Sequence, residues 1–232
     1  MADLVYPPVV VALRTLWKTL NLKFDFQGQE HLPKEGGAVL AMNHISYLDF
    51  ALIGTAALPM KRYVRFMAKK EIFDNPLAGP LMRGMHHISV DRSKGSASLV
   101  AALRALKDGE IIGIFPEGTI SVSFEIKELK TGAVRLAQGA GVPVIPTIIW
   151  GSQRLWTKKV KRNLAQRGVP ITVLFGEPLF FDKESNIEEG EAILRAAMVK
   201  MLHQVQDHYP DSHEGQRWAP VRLGGTAPAP LN

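Results

Sequence analysis

The stretch MNHISYLDF places His44 five positions before Asp49, with Ser46 between them. Two roles fit these residue types. A neutral imidazole with an ordinary pKa can take a proton from a hydroxyl at physiological pH. A carboxylate on its other ring nitrogen would fix the tautomer and stabilise the imidazolium that forms. Ser46 followed three positions later by Asp49 also reads as an acidic variant of the helix capping box, just before the apolar run FALIGTAAL. On that reading Asp49 serves a helix end, and His44 is only the residue where a strand has stopped. Five residues is a poor spacing for contact on one continuous helix, because such positions diverge by about 140°. The pair forms only if His44 sits in a loop before the helix and Asp49 lies in its first turns, with Ser46 free to cap.

The surrounding pattern supplies elements that could position such a pair. Three short apolar runs each end in a sharp break: AVLAM (38–42) in Asn43 and His44, HISV (87–90) in Asp91 and Arg92, and EIIGIF (110–115) in PEGT. Between the second and third, SASLVAALRALKDG reads as a helix capped by Ser96 or Ser98, with a Leu99, Leu103, Leu106 stripe and closure at Gly109. A strand, helix, strand unit implies parallel pairing with a right-handed crossover. TGAVRLAQGAG repeats the helix signal, VPVIPTIIW and ITVLFGEPL read as strands, and EEGEAILRAAMVKMLHQVQDHY reads as a long helix with Ile193, Ala197, Met201 and Val205 on one side. The expected fold class is α/β: one domain, residues 31–210, with a mostly parallel central sheet flanked by helices. In open parallel sheets ligands bind beyond the carboxyl ends of the strands. Asn43 and His44, Asp91 and Arg92, and Pro116 to Thr119 all fall there, which points to one site.

Composition narrows the chemistry further. The 232 residues are 46% hydrophobic and 22% charged, as in globular chains, and contain no cysteine, so thiolate nucleophiles, thiolate metal sites and disulfides are excluded. A net charge of +6 favours a polyanionic partner: nucleic acid, anionic lipid or a phosphorylated small molecule. No basic stripe interleaved with stacking aromatics supports nucleic acid. Adjacent His86 and His87 would point to opposite faces of a strand, and His203 and His208 lack a convincing ligand spacing, so no metal is expected. In LVYPPVVVALRTLWKTLNLKF the apolar stretch is halted by Arg14 and Lys18, well short of the roughly 20 apolar residues that span a bilayer. Residues 1–30 read instead as an amphipathic segment with Val9, Leu13, Leu16, Trp17 and Leu20 on one face. Such a helix lies in a membrane interface with its Trp at headgroup depth, or packs on the domain core. Residues 211–232, rich in Gly, Pro and Ala, are expected to be a loosely held tail.

Asn-His-x-x-x-x-Asp at 43–49, VDR at 90–92, FPEGT at 115–119 and VPVIP at 142–146, in this order, with AKKEIF and LKTGA between, make the chain resemble the glycerolipid acyltransferases, especially the bacterial 1-acylglycerol-3-phosphate acyltransferases. The resemblance covers roughly residues 38 to 147. It implies transfer of a fatty acyl group from a thioester, acyl-CoA or acyl carrier protein, to the hydroxyl of a lysophosphatidic acid-type acceptor. His44 would be the base and Asp49 its partner, with Asn43, Ser46 and Pro116 in support. It implies an acceptor site containing Arg92, Glu117, Gly118 and Thr119, with Lys69 as a phosphate contact and Lys130 as a further substrate-binding residue. It implies no cofactor, membrane lipids as partners, no nucleic acid, and a peripheral or monotopic place at the cytoplasmic face of the cell membrane. The bland account of Glu117 is a loop residue bonding nearby amides. The run Lys158, Lys159, Lys161, Arg162 meets anionic lipid or coenzyme A, or is solvated surface. Ile120 departs from the family's FPEGTRS, standing where an arginine would contact phosphate. Other acceptors, glycerol 3-phosphate or another lysophospholipid or phosphoinositide, therefore stay open, as does a noncatalytic lipid-binding role.

Overall fold

The computed structural model describes residues 3–91 and 95–229. The strands are β1 (Lys23–Gln27), β2 (Ala38–Met42), β3 (Val64–Lys69), β4 (Ile88–Val90), β5 (Ile111–Ile114), β6 (Val144–Trp150) and β7 (Pro170–Phe175). The helices are α1 (Tyr6–Thr19), α2 (Asp49–Ala57), α3 (Lys70–Asp74), α4 (Ala78–Gly84), α5 (Gly95–Lys107), α6 (Gly132–Ala140) and α7 (Ile187–Asp207). The seven strands form one sheet in the order β1-β7-β6-β2-β5-β3-β4. The block from β6 to β4 is parallel throughout, β7 joins it antiparallel to β6, and β1 runs parallel to β7.

The order of the strands decides which loops meet. The β4-α5-β5 crossover does not join neighbours, because β3 lies between them, and β5-α6-β6 likewise steps over β2. Both run toward β6, so right-handed connections place α5 and α6 on one face, where α7 also packs against β6 and α6. The β2-α2-β3 connection runs the opposite way and puts α2 on the other face, against α1. Covered on both sides, every residue of β2 and β6 is buried, which explains why AVLAM and VIPTIIW read as continuous apolar runs. The carboxyl ends of β6, β2, β5, β3 and β4 therefore share one edge of the sheet.

Four local expectations are corrected. Helix α5 begins at Gly95, before either proposed capping serine, so Ser98 lies inside it and is buried. The inward face of α7 is Leu194, Met198, Leu202 and Val205; Val205 is as expected, while the other three stand one position after Ile193, Ala197 and Met201, and Ile193 is exposed. The described part of the segment after Asp211 is packed: Ala219 and Ala227 are buried, and the Arg154 guanidinium lies 4.5 Å from the Trp218 ring centre while its side chain pairs with Asp211. Trp17 is not at a membrane surface. It is 2% exposed, and its indole N–H donates to Thr55 Oγ1 at 3.1 Å.

Helix α1 is thus a packed helix whose outer side mixes Val11 and Leu16 with Arg14 and Lys18. The Tyr6 hydroxyl donates to the Val64 carbonyl at 2.7 Å, and its ring stacks on Tyr63 with centres 4.0 Å apart. Just before the helix, Asp3 takes two bonds from the buried Arg65 guanidinium, which also holds Glu110. Leu4, Val11 and Leu16 remain exposed. Among the described residues no helix is long and apolar enough to cross a membrane.

Candidate active site

Just past β2 the Asn43 N–H still donates to the Thr147 carbonyl of β6 at 3.3 Å, and its side chain carries the pairing further. Its amide donates to the Ile149 carbonyl at 3.0 Å and accepts from the Ile149 N–H at 2.7 Å, extending the β2–β6 pairing by one residue. His44 follows in the loop, and α2 starts at Asp49, so the two are not constrained to one helix face. Asp49 Oδ2 lies 3.0 Å from His44 Nδ1. The same oxygen accepts the Ile45 and Ser46 amides, each at 2.8 Å. The capping and pairing roles are therefore not alternatives. One carboxylate shapes the loop and holds the imidazole. Ser46 does not cap the helix; its hydroxyl accepts from Leu48 N–H and donates to the Trp156 carbonyl.

The second oxygen of Asp49 accepts from the Ser152 hydroxyl at 2.6 Å, and both side chains are fully buried. Four donors thereby offset the cost of burying this charge. Because Asp49 only accepts, Nδ1 carries the proton. Nε2 then presents a lone pair, with no hydrogen-bond partner among the described residues. The ring is 21% exposed and stacks on Phe115 with centres 4.1 Å apart, which fixes its plane.

The loop after β5 braces His44 from the other side. Glu117 is buried; its Oε1 accepts the His44 amide at 2.8 Å and its Oε2 the Lys127 amide at 3.3 Å. Ser121 N–H donates to the His44 carbonyl at 2.7 Å. The bland account of Glu117 thus describes its bonding: it faces inward and joins two loops. Burial pushes its carboxyl up to about 7 from 4.5, with the two amide donors and Lys127 opposing. A raised folded pKa means that the folded state binds the extra proton between those values, so this group's contribution to stability falls as pH rises from about 4.5 to about 7. In Glu117→Gln that slope should vanish. Tm measured on both proteins below and above the window should show the wild type losing ground to the variant; the reverse trend would contradict the assignment.

An acyltransferase profile matches residues 23–150, more than half of the chain. The chain belongs to the acyltransferase family. This acyltransferase is 32% identical over 197 residues to the 1-acyl-sn-glycerol-3-phosphate acyltransferase of Bacillus subtilis, covering 84% of its own length and 89% of the relative's. It is 32% identical over 195 residues to the protein of the same name from Limnanthes alba, covering 80% of its own chain and 62% of that one. In fold it is similar to the crystal structure of the 1-acyl-sn-glycerophosphate acyltransferase PlsC from Thermotoga maritima, with a TM-score of 0.72 at 23% identity, covering 88% of this chain and 82% of that one.

The remaining residues expected in the acyltransferase's site are distributed around this centre. Gly118 turns at φ +70°, a conformation that favours glycine, and the Lys130 side chain lies over its open side. Lys130 is tied there by its amide, which donates to the Pro116 carbonyl at 2.9 Å. Thr119 is exposed, and its carbonyl accepts from Lys127 Nζ at 2.8 Å. Lys69 ends β3 and pairs in register with Val90 of β4, so it stands at the same sheet edge beside Asp91. Arg92 lies outside the described residues. Ile120 is buried. Among the described residues no group of three or more His, Cys, Asp or Glu could hold a metal ion.

Sequence reasoning missed the loop after β6. Ser152 donates to Asp49, while Trp156 and Thr157 bond the Ile45–Tyr47 segment, Thr157 through the Ile45 carbonyl at 2.6 Å. The signal was present in the Gly-Ser break after VPVIPTIIW, at the carboxyl end of a strand adjacent to β2. Ser152→Ala should leave one Asp49 oxygen without a donor. Loss of one charge-assisted bond, on the order of 1.5 kcal/mol, corresponds to about a tenfold fall in kcat with little change in KM. An unchanged kcat in a variant of reduced Tm would make Ser152 structural only.

Proposed function

We propose that this acyltransferase moves a fatty acyl group from an acyl thioester, acyl-CoA or acyl carrier protein, to the free hydroxyl of a lysophosphatidic acid-type acceptor, giving phosphatidic acid for phospholipid synthesis. His44 is the general base. Nε2 takes the hydroxyl proton as the oxygen attacks the thioester carbonyl; the carbon–sulfur bond then breaks, and the imidazolium returns the proton to the leaving thiolate. Asp49 holds the tautomer and stabilises the imidazolium. The observation that carries this reading is the 3.0 Å contact of Nδ1 with a buried carboxylate, which leaves Nε2 free to accept. The acceptor class rests on the names of the relatives.

The phosphate cations in this proposal are Lys69, Arg92 and Lys130, with Glu117, Gly118 and Thr119 shaping the loop. A buried Ile120 gives an acceptor phosphate no charge, and Lys130 beside Gly118 provides one. The thioester is a co-substrate, no cofactor takes part, and the enzyme works peripherally at the cytoplasmic face of the membrane. The test is incubation of purified protein with oleoyl-CoA, or oleoyl carrier protein, and a panel of lysophosphatidic acid, glycerol 3-phosphate and lysophosphatidylcholine, with products read by mass spectrometry. Phosphatidic acid should dominate. Equal use of the choline diester would remove the phosphate monoester from the assignment, and no product from any acceptor would remove the enzyme reading of His44.

A further inference from the structure

Residues 151–176 hold six cations, Arg154, Lys158, Lys159, Lys161, Arg162 and Arg167, and no acidic residue. Arg154 pairs with Asp211. The other five are exposed, and among the described residues none of them forms an ion pair. Two aliphatic side chains sit among them, Val160 at 43% and Leu164 at 39% exposure. A run that is merely solvated has no use for exposed aliphatics held between unpaired charges.

This run is also fastened in place. The Trp156 carbonyl accepts from Ser46 Oγ and from the Tyr47 amide, Thr157 bonds the Ile45 carbonyl, and Asn163 N–H closes the loop on the Leu155 carbonyl at 2.7 Å. The Trp156 ring lies between exposed Tyr47, 5.1 Å away, and the Arg162 guanidinium, 6.0 Å away. The cations therefore stand beside the segment that carries His44. They reach the next loop as well: Lys127 is held below the usual lysine range by burial first and then by repulsion from Lys158 and Lys130.

We infer that the loop 156–164, with Tyr47, is a docking surface for an anionic lipid bilayer, seating the entrance of the site on the membrane. Cations attract the anionic surface, Val160 and Leu164 enter the apolar boundary, and Tyr47 and Trp156 suit the headgroup layer. A site for the phosphates of a soluble thioester would need the cations but not the aliphatics. This placement differs from the expectation that α1 is the anchor. It does not depend on which acceptor is used, and vesicle binding reads it without turnover.

The test compares wild type with the combined variant Lys158→Gln, Lys159→Gln, Lys161→Gln, Arg162→Gln in vesicle co-sedimentation, using phosphatidylcholine alone and phosphatidylcholine with phosphatidylglycerol. Four cations near an anionic surface should be worth at least roughly 30-fold in affinity for the anionic vesicles, lost in the variant and in the wild type at high salt. Affinity for neutral vesicles should not change. Val160→Ser with Leu164→Ser should weaken binding to both. On a short-chain dissolved acceptor the charge variant should keep its kcat and its KM for acyl-CoA. Unchanged binding to anionic vesicles would overturn the inference, and so would a higher acyl-CoA KM on the dissolved acceptor, because the loop would then hold the donor's phosphates.

Discussion

Replacing His44 by alanine is expected to lower kcat by about 10² to 10⁴-fold while leaving the protein folded, since that is what a positioned general base contributes. The ring is partly exposed and rests on Phe115, so its loss should cost no more than about 1 kcal/mol in chemical denaturation. Asp49→Asn separates the two duties of that carboxylate. An amide oxygen at the Oδ2 position can still accept from His44 and from the Ile45 and Ser46 amides, and the Ser152 hydroxyl can rotate to accept from the new NH₂. The loop should survive while the charge that stabilises the imidazolium is gone, so kcat should fall about 10² to 10⁴-fold with KM nearly unchanged. Asp49→Ala should instead lose the loop, because two buried amides and a hydroxyl would lack their acceptor. Wild-type turnover from folded His44→Ala would end the mechanism proposed above.

Trp17→Ala is expected to be the most destabilising single change in α1, at about 3 to 5 kcal/mol, a large share of the roughly 5 to 15 kcal/mol that holds a domain together. Trp17 is buried in the main core with Leu20 and Leu22, and its indole N–H is bonded to Thr55. Leu16, its neighbour in sequence, is 44% exposed, and Leu16→Ala should move the denaturation midpoint very little. A Trp17→Ala protein of normal stability but weakened vesicle binding would restore the interfacial reading of this helix. For the same reason, removal of residues 4–22 should disable the enzyme on dissolved and bilayer substrates alike.

These two expectations differ in how much of each could be read from the chain. The five-residue spacing of His44 and Asp49, next to a strand break and an apolar helix, already required a loop histidine and a first-turn aspartate, and α2 begins at Asp49. Continuous apolar runs ending in Asn-His and Pro-Glu-Gly marked the parallel strands β2 and β5, because side chains of doubly covered strands are buried on both faces, and the shorter run ending in Asp-Arg marked the edge strand β4. That same uniformity hides strand order. Nothing local in VRFMAK places β3 between β4 and β5, or places β6 next to β2.

Only the tertiary structure, through that order, brings Ser152 onto Asp49 from 103 residues away and turns Glu117 inward onto the His44 amide. Amphipathic pattern likewise could not choose the partner of α1, since a stripe of Val, Leu and Trp satisfies a core or a membrane surface equally; the burial of Trp17 and its bond to Thr55 decided it. The α7 stripe was displaced by one residue because Leu194, Met198 and Leu202 compete with Ile193, Ala197 and Met201 at the same period. Local sequence determined which residues can do the chemistry and where elements break, because these follow from side-chain type and backbone periodicity. Which loops meet, and therefore what orients the imidazole, was decided by long-range packing, because hydrogen bonds between strand ends depend on neighbours in space and not in the chain.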